Sequence, residues 1–271
     1  MTAFHIMAGA DSGFARPAIR KIGIADITEA LRMGWSDFRE KPSHYVFLCL
    51  IYPLAGVFLM AWSAGANLLP LLFPLMSGFA LLGPVAALGL YEISRRRENG
   101  EDSSWRHAFS VLRSPALPSI LAVGFFLFVL FISWLLVAQS IYAAYFGDVP
   151  PSSFSAFFNE VMTTPQGMAL ILWGNLAGFL FAVVVLATTV VAFPLMLDRD
   201  VGAAAAIDTS VRATIANPVP VALWGLIVAA LLVIGTIPIF AGLAVIMPIL
   251  GHSTWHLYRK LVVSPSVPAQ R

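Results

Sequence analysis

Long stretches without a charged side chain dominate the chain and alternate with short polar segments. These charge-free stretches lie between the charged residues Lys41 and Glu92, Arg113 and Asp148, Glu160 and Asp198, and Arg212 and Arg259. A helix of about 20 apolar residues crosses the ~30 Å hydrocarbon core of a bilayer. The first and last stretches therefore have room for two crossings each, and the two middle stretches have room for one each.

The pattern predicts an all-α fold, a polytopic membrane helix bundle with about six transmembrane helices. Turn-forming residues near 63–67 and 235–238 divide the two longest stretches into helical hairpins. The predicted spans are 44–64, 68–93, 118–146, 167–196, 219–236 and 239–258. They form a single integral membrane domain over residues 21–262, between predicted disordered cytoplasmic tails at 1–20 and 263–271.

Composition supports lipid as the solvent of this chain. Of the 271 residues, 59% are hydrophobic and 11% are charged, against roughly 25% charged in an average soluble domain. The few charged side chains could not cover the surface of a soluble domain of this length. Lys and Arg are spread between apolar blocks, which argues against a nucleic-acid partner, and the single Cys49 excludes an internal disulfide.

The positions of the positive charges predict an orientation. With six crossings, all 16 Lys and Arg residues fall on one side of the membrane, whereas the other side keeps only Asp148 and Glu160. Cytoplasmic loops are the ones enriched in Lys and Arg. The chain is therefore predicted to be a multi-pass protein of a bacterial-type inner membrane, with both termini cytoplasmic.

Amphipathic segments precede the first, third and fifth spans. The first, DITEALRMGWSDFREKPSHY, has capping-box spacing between Asp26 and Glu29 and should lie along the membrane interface. Its apolar stripe comprises Ile27, Ala30, Leu31, Gly34, Trp35 and Phe38. SSWRHAFSVLRSPALPS and DVGAAAAIDTSVRATIANPVP precede the other two. Two interpretations stay open: three repeated helix-pair units, or unrelated helix entries that look alike.

The segment SSFSAFFNEVMTT follows the third span on the opposite side of the predicted membrane. Its apolar residues recur at helical spacing, which predicts a short interfacial helix. In this prediction Phe154, Phe157, Phe158 and Val161 face the lipid.

Two histidines have the spacing of a metal-ligand pair. His252 and His256 lie i, i+4 on one helical face, and further ligands could come from His5, His44, His107 or Glu92. The sequence favours the simpler interpretation, interfacial histidines beside Trp255 and Tyr258 with no bound metal. We expect no cofactor.

Polar residues inside predicted spans suggest helix packing or a pathway. Gln139 and Asn175 are amides at membrane depth, where polar groups are costly. Asn175 lies within a GxxxG motif formed by Gly174 and Gly178, a pattern that allows two helices to approach closely. A packing contact is favoured over a substrate pathway.

No nucleotide-binding loop, serine-hydrolase elbow, zinc-protease motif or dinucleotide fingerprint occurs in the chain, so we expect no enzyme activity. The blocks IADITEALRMGWSDFREKPSH, FALLGPVAALGLYEISRRRENG, FPLMLDRDVGAAAA and GHSTWHLYRKL resemble a bacterial integral membrane family of uncharacterised function that is common in Proteobacteria. The resemblance covers roughly residues 20–262. It implies an inner-membrane location, and some family members are labelled cytochrome c oxidase subunits.

Two functional hypotheses follow from the sequence. The leading one is an accessory, assembly or structural protein without a catalytic site, associated with a respiratory or other membrane complex. The alternative is a transporter or lipid-handling protein, which the apparent repeats and the prolines within the spans would favour. A heme-copper catalytic role is not supported, because the five histidines lie in a tail or near predicted membrane ends.

Overall fold

The chain folds into α-helices joined by short connections. The structure is a computed structural model, and it describes residues 17–42, 45, 49–65, 69–147 and 151–263. Within these described ranges, two 3₁₀ helices, Leu69–Leu71 and Trp105–Arg113, accompany the α-helices. In chain order these are α1 Ile24–Glu40, α2 Ile51–Gly65, α3 Leu72–Leu81, α4 Gly83–Ala86, α5 Leu88–Glu98, α6 Leu117–Phe146, α7 Phe154–Thr163, α8 Pro165–Thr189, α9 Ala192–Asp198, α10 Ala203–Ala216, α11 Pro218–Thr236 and α12 Leu243–Leu261.

In the part of the chain that the structure describes, three helical segments are long and apolar enough to cross a membrane. They are α6, α8 together with α9, and α11. Large apolar side chains on these helices are exposed, including Phe125 at 67%, Phe179 at 63% and Leu226 at 66%. Exposed apolar surface of this extent is unfavourable in water and matches a hydrocarbon surrounding.

The other predicted spans correspond to shorter or interrupted helices. The apolar part of α2 is only Ile51–Trp62. The predicted span 68–93 is a 3₁₀ turn followed by α3, α4 and α5, with breaks beside Gly83 and Pro84. Proline has no N–H for the helical ladder, which explains the break there. The total of six crossings stays a prediction.

The last helix, α12, forms the centre of one end of the bundle. It packs against α1, α5, α9 and α11, and Trp255, Leu257 and Tyr258 are at most 1% exposed. We call this end the basic end, because the chain segments there carry Arg95–Arg97, Arg199 and Arg259. The opposite end, where α6 meets α7, is the distal end.

The amphipathic helix α1 packs on α12 rather than presenting its whole stripe to a membrane surface. Ile27, Ala30, Gly34 and Phe38 are buried, whereas Trp35 is exposed. The helix also begins earlier than the capping-box spacing indicated. Its N-cap is Gly23, and the carboxylate of Asp26 accepts the Gly23 N–H at 2.8 Å.

The chain before α1 is ordered by hydrogen bonds, which corrects part of the predicted disordered tail. Ile19 forms an antiparallel bridge with Val262, and the Arg20 N–H donates to the Leu261 carbonyl at 2.8 Å. Satisfied backbone groups explain why residues 17–20 are extended and paired here. The rest of the two predicted tails, apart from residue 263, lies outside the described residues.

The three segments predicted as repeats differ in the structure. The first and third contain the α-helices α1 and α10, whereas the second is the 3₁₀ helix Trp105–Arg113. The conformations therefore do not repeat strictly, although each segment precedes a predicted span.

At the distal end, α7 is the short helix predicted from SSFSAFFNEVMTT, and the Ser153 hydroxyl caps it by accepting the Ala156 N–H at 3.2 Å. Phe154 and Phe158 are exposed, as predicted. Phe157 instead packs edge-on against Tyr142, with 6.0 Å between ring centroids. The predicted lipid-facing set was wrong for Phe157, because α7 folds back against the end of α6.

Candidate functional site

A buried group of polar side chains joins three helices at the basic end. This polar cluster consists of Asp37 on α1, Ser94 and Arg97 on α5, and His252 and His256 on α12. Asp37 is 6% exposed, Ser94 1%, His252 0% and His256 7%. Buried polar groups are stable only when they are hydrogen-bonded to one another, so the contacts within this cluster decide how the three helices fit together.

Asp37 lies at the centre of the polar cluster. Its Oδ2 accepts a hydrogen bond from the Ser94 hydroxyl at 2.8 Å and lies 2.9 Å from Nε2 of His256. Its Oδ1 lies 2.9 Å from Nη1 of Arg97. Burial alone would raise the pKa of the Asp37 carboxyl, but the hydrogen bond and charge of His256, with His252 and Ser94, lower that pKa overall.

His252 is held by Ser94 and by an aromatic ring. Its Nδ1 lies 2.7 Å from the Ser94 oxygen, and its ring meets the Tyr45 ring edge-on at 4.9 Å. Since the single hydroxyl proton of Ser94 is donated to Asp37, Nδ1 of His252 acts as the donor to Ser94. Nε2 of His252 is buried and has no hydrogen-bond partner among the described residues.

Close helix contacts bring these side chains together. A Cβ on Gly34 would lie 2.1 Å from the Ser253 hydroxyl oxygen and 2.5 Å from the Ser253 nitrogen. Only glycine permits α1 to approach the α12 backbone so closely. Asp37 follows Gly34 by three residues, so the same helical face that makes this contact directs Asp37 toward His256.

Ion pairs surround the polar cluster and fix α12 further. Glu98 accepts a hydrogen bond from the Trp255 indole at 2.9 Å and another from Arg259 at 2.9 Å. Lys260 lies 2.7 Å from Glu29 on α1. The basic end is therefore a continuous network between α1, α5 and α12 in which most charges are paired internally.

The two histidines were expected to lie at the membrane interface, and the structure corrects this. Both are buried because α1 covers them. Among the residues that the structure describes, no group of three or more His, Cys, Asp or Glu side chains is arranged to hold a metal ion. Of the other predicted ligands, His107 lies 3.0 Å from Asp102, and Glu92 is bound by arginines, whereas His5 and His44 lie outside the described residues.

Asp37, Ser94 and Arg97 were not predicted from the sequence as members of this cluster. A signal for Asp37 was present: it is a carboxylate on the apolar stripe of α1, three residues after Gly34 and seven after Ala30. Ser94 and Arg97 offered no comparable signal, because serine and arginine are common where a span leaves the membrane.

A second feature of the basic end is a cleft of about 340 Å³ between α5, the 3₁₀ helix and the end of α9. We call it the basic-end cleft. Its charged lining comprises Glu92, Arg95, Arg96, Asp198, Arg199 and Asp200. Arg95 donates to both oxygens of Glu92, at 2.7 and 2.8 Å, and Arg96 donates to Glu92 at 2.8 Å. The cleft thus combines both signs of charge in one concave surface.

Of the residues of α8 that were predicted to pack against another helix, one packs inside the bundle and the others lie on its surface. Gly178 is internal, since a Cβ there would lie 3.2 Å from the Trp134 ring. At Gly174 such a Cβ has no atom of the described residues within 4 Å, and Asn175 is exposed. The Asn175 amide donates to the Ile171 carbonyl of its own helix at 2.7 Å. Gln139 on α6 is also exposed, and no hydrogen bond joins it to Asn175 among the described residues.

Comparison with known proteins locates the chain among membrane proteins. Residues 72–198 match the model of a family described as "Predicted integral membrane protein (DUF2189)". The resemblance expected from the sequence is confirmed over this region, and the chain is an integral membrane protein. Neither the curated proteins nor the solved structures gave a match.

Proposed function

We propose that this protein is a non-enzymatic accessory subunit of a larger membrane complex, located in a bacterial inner membrane with both termini cytoplasmic. The observation that carries the proposal is the exposed Asn175 in the middle of a long apolar helix. It marks the α8 face around Gly174 and Asn175 as the contact for a partner's transmembrane helix.

The depth of Asn175 makes its exposure costly. At ~1.5 Å per residue, Asn175 lies about 15 Å along α8 from Pro165, near the middle of a ~30 Å hydrocarbon core. Its bond to the Ile171 carbonyl uses one N–H of an amide that has two N–H donors and an oxygen acceptor. Lipid cannot satisfy the other groups, whereas a hydrogen-bonding side chain on a partner helix can.

Gly174 supplies the space that such a partner needs. It precedes Asn175 directly, and a Cβ at this position would meet open space. Small residues in membrane helices let a second backbone approach closely. Leu172 and Leu176, which flank the pair on the same helix, are 63% and 46% exposed and offer apolar contact area beside it.

The polar cluster supports a role without catalysis. Its carboxylate, hydroxyl and imidazole groups resemble a set of catalytic side chains, but they bond to one another and are buried under α1. A reacting group needs a position where substrate can lie next to it. The cluster is better suited to holding three helices together.

The proposed orientation in the membrane is based on the distribution of basic residues between the two ends of the bundle. In the structure the basic residues of α5, the α9–α10 link and α12 lie at one end of the bundle, and Glu160 lies on α7 at the other. The positive-inside rule supports a cytoplasmic location for the basic end. Reporter domains fused to each terminus, active only in the cytoplasm, would test this directly.

The partner is tested by substitution of Asn175 to Leu, with Thr188 to Val as a matched control. Thr188 lies on the same helix and donates to the carbonyl four residues before it at 2.7 Å, so it satisfies its single hydroxyl proton internally. The protein is purified from its native membrane in mild detergent after crosslinking. We expect Asn175→Leu to weaken association with the partner roughly threefold to tenfold, the effect of one interhelical hydrogen bond.

In a second variant, Gly174→Leu, the larger side chain blocks the α8 face around Gly174 and Asn175. Its control is Ala229→Leu, which adds a leucine on the exposed side of α11. Loss of a defined protein partner in the Asn175 and Gly174 variants, with the partner retained in both controls, supports the proposal. A protein that purifies alone in all cases, or a partner unaffected by either variant, overturns it. A lone protein carrying a specific solute or lipid would favour transport or lipid handling instead.

A further inference from the structure

The basic-end cleft has a balanced charge that a simple anion site would not have. Three arginines, Arg95, Arg96 and Arg199, and three carboxylates, Glu92, Asp198 and Asp200, line it. An anionic ligand would be attracted by one set and repelled by the other. A ligand that carries one positive and one negative group can place each beside the opposite charge.

The charges are arranged on two walls. On the α5 wall, Arg95 and Arg96 both bind Glu92, which is 5% exposed and also accepts the Ser110 hydroxyl at 3.2 Å. On the facing wall lie Asp198, Arg199 and Asp200, where α9 ends. The hydrogen bonds that Arg95 donates to Glu92 are the main cause that raises the pKa of Arg95, and the charge of Asp198 adds to it. Both walls line the same cleft, and α9 packs against α5.

The α5 wall keeps hydrogen-bond donors for an oxygen-rich group. A guanidinium has five N–H donors. The two bonds to Glu92 use the Nε–Nη2 edge of Arg95, so its Nη1 edge can bind a further acceptor. Arg96 uses Nε for Glu92 and Nη1 for Glu101, at 2.8 and 3.3 Å. Planar guanidinium groups are suited to binding phosphate oxygens.

The depth of the cleft matches that of lipid head groups. Its lining includes Ala116, directly before the long apolar helix α6, and Leu197, near the end of the apolar segment formed by α8 and α9. Helices that cross a bilayer end near the level of the lipid phosphates. Val111 and Met196 add apolar lining, which suits the glycerol and upper acyl carbons that follow a head group.

We propose that the basic-end cleft binds the phosphate–ammonium head group of a zwitterionic lipid, with the phosphate on Arg95 and Arg96 and the primary ammonium on the Asp198–Asp200 wall. The cavity of about 340 Å³ is large enough for such a head group. The binding site lies at the basic end and does not depend on the proposed partner contact at Asn175.

Three lipids that differ in head group test whether the cleft recognises both the phosphate and the primary ammonium. Phosphatidylethanolamine carries a phosphate and an ammonium with N–H donors. Phosphatidylcholine keeps both charges but its quaternary ammonium has no N–H to donate, and phosphatidylglycerol has no ammonium. Carboxylates recognise an ammonium best through charge-assisted hydrogen bonds, so the cleft should prefer the ethanolamine lipid.

The test uses the purified full chain in mild detergent with equal amounts of the three lipids, and native mass spectrometry measures which lipid stays bound. We expect retention of phosphatidylethanolamine over the other two by about tenfold, the effect of one charge-assisted hydrogen bond. Asp200→Asn should remove the preference over phosphatidylglycerol. Glu160→Gln, the same change at the distal end, should keep it.

A second measurement needs no variant. Mono-, di- and trimethylated ethanolamine lipids remove the N–H donors one at a time, so retention by the unmodified protein should fall along the series. Equal retention of all three lipid classes, or an unchanged preference in Asp200→Asn, would overturn the proposal. Soluble glycerophosphoethanolamine carries the same head group without acyl chains. If it bound and phosphatidylethanolamine did not displace it, the ligand of the cleft would be a soluble molecule and not a lipid.

Discussion

The Nε2 atom of His256 lies 2.9 Å from the carboxylate of Asp37, and 219 residues of sequence separate the two. This contact joins the first described helix, α1, to the last one, α12. Ser94 and Arg97 bring α5 to the same carboxylate. One buried side chain therefore connects three helices, and its removal should affect their fit more than the loss of any single ion pair on the surface.

Substitution of Asp37 to Asn should destabilise the protein by about 3 kcal/mol, because removing one partner from a buried ion pair leaves the other charge uncompensated. The variant keeps the size of the side chain but not its charge, so His256 faces an uncharged amide and Arg97 keeps only the exposed Glu40 as a carboxylate partner. Thermal unfolding in detergent, followed by loss of helicity, measures the change.

Glu40→Gln is the matched control for Asp37→Asn. Glu40 lies on the same helix and pairs with the same Arg97 at 2.9 Å, but its side chain is 39% exposed. Exposed ion pairs contribute roughly 0–1 kcal/mol. Equal destabilisation by the two variants would show that burial of Asp37 is not what matters.

The contribution of Asp37 should depend on pH in the acid range. Its pKa in the folded protein lies below the ordinary value of 3.8. A lowered pKa means that the stabilisation is complete well above pH 3.8 and is lost as the pH falls through the folded-state pKa. The groups that face the carboxylate are Arg97, His252 and His256 as charges or potential charges, with the Ser94 hydroxyl.

The measurement compares unfolding temperatures of the unmodified protein and Asp37→Asn between pH 7 and pH 3. Both proteins keep all other titrating groups, so the comparison reports the Asp37 carboxylate together with its coupling to His252 and His256. We expect the difference to be constant near neutral pH and to shrink below about pH 4. A difference that stays constant down to pH 3, or grows there, would contradict the assigned role of the carboxylate.

The long helices could be predicted from the sequence, whereas the polar cluster could not. The predicted spans 118–146 and 219–236 agree with α6 and α11 to within one residue at each end. This accuracy has a physical cause: lipid demands an apolar helix of fixed length, and that demand is visible along the chain. The predicted apolar stripe of α1 did not include Asp37, and helical periodicity does not indicate which helix that face meets.

The exposure of Asn175 likewise could not be predicted from the sequence. The GxxxG motif predicted a close helix contact, and the structure provides one at Gly178 with Trp134. Which of the two glycines faces inward depends on the rotation of α8 about its axis. Neighbouring helices set that rotation, and the apolar composition of α8 gave no preferred side.

The contact between α1 and α12 should not tolerate a side chain at Gly34. Gly34→Ala would place a methyl group 2.1 Å from the Ser253 hydroxyl oxygen and 2.7 Å from its Cα. The backbone must shift to relieve this overlap, and we expect a loss of about 3 kcal/mol, at the upper end of overpacking effects. The free energy of unfolding in a denaturant or heat titration checks the value.

Gly83→Ala serves as its control. A Cβ on Gly83 would meet no atom within 4 Å, so alanine there should be neutral or slightly stabilising because it restricts the unfolded chain. If Gly34→Ala proved as stable as Gly83→Ala, α1 and α12 could not be in the close contact described.

Asn217 should control access of proteases to the segment before α1. It is 3% exposed, its Oδ1 accepts the Ile22 N–H at 2.8 Å, and its Nδ2 donates to the Arg20 carbonyl at 3.0 Å. In Asn217→Ala both backbone groups lose their partner, which costs about 1–3 kcal/mol for a buried group. Local opening should then become more frequent, and trypsin should cut after Arg20 or Lys21 about tenfold faster.

The cleavage rate is followed by mass spectrometry of the fragment that ends at Arg20 or Lys21. Asn99→Ala is the control, because Asn99 is exposed at the same end and bonds only weakly to Glu101, at 3.4 Å. Arg212, which lies 3.2 Å from the Pro17 carbonyl, still holds the segment in the variant, so cleavage should stay slower than in an unfolded chain. Equal rates in the Asn217 and Asn99 variants would mean that the amide does not hold this segment in place.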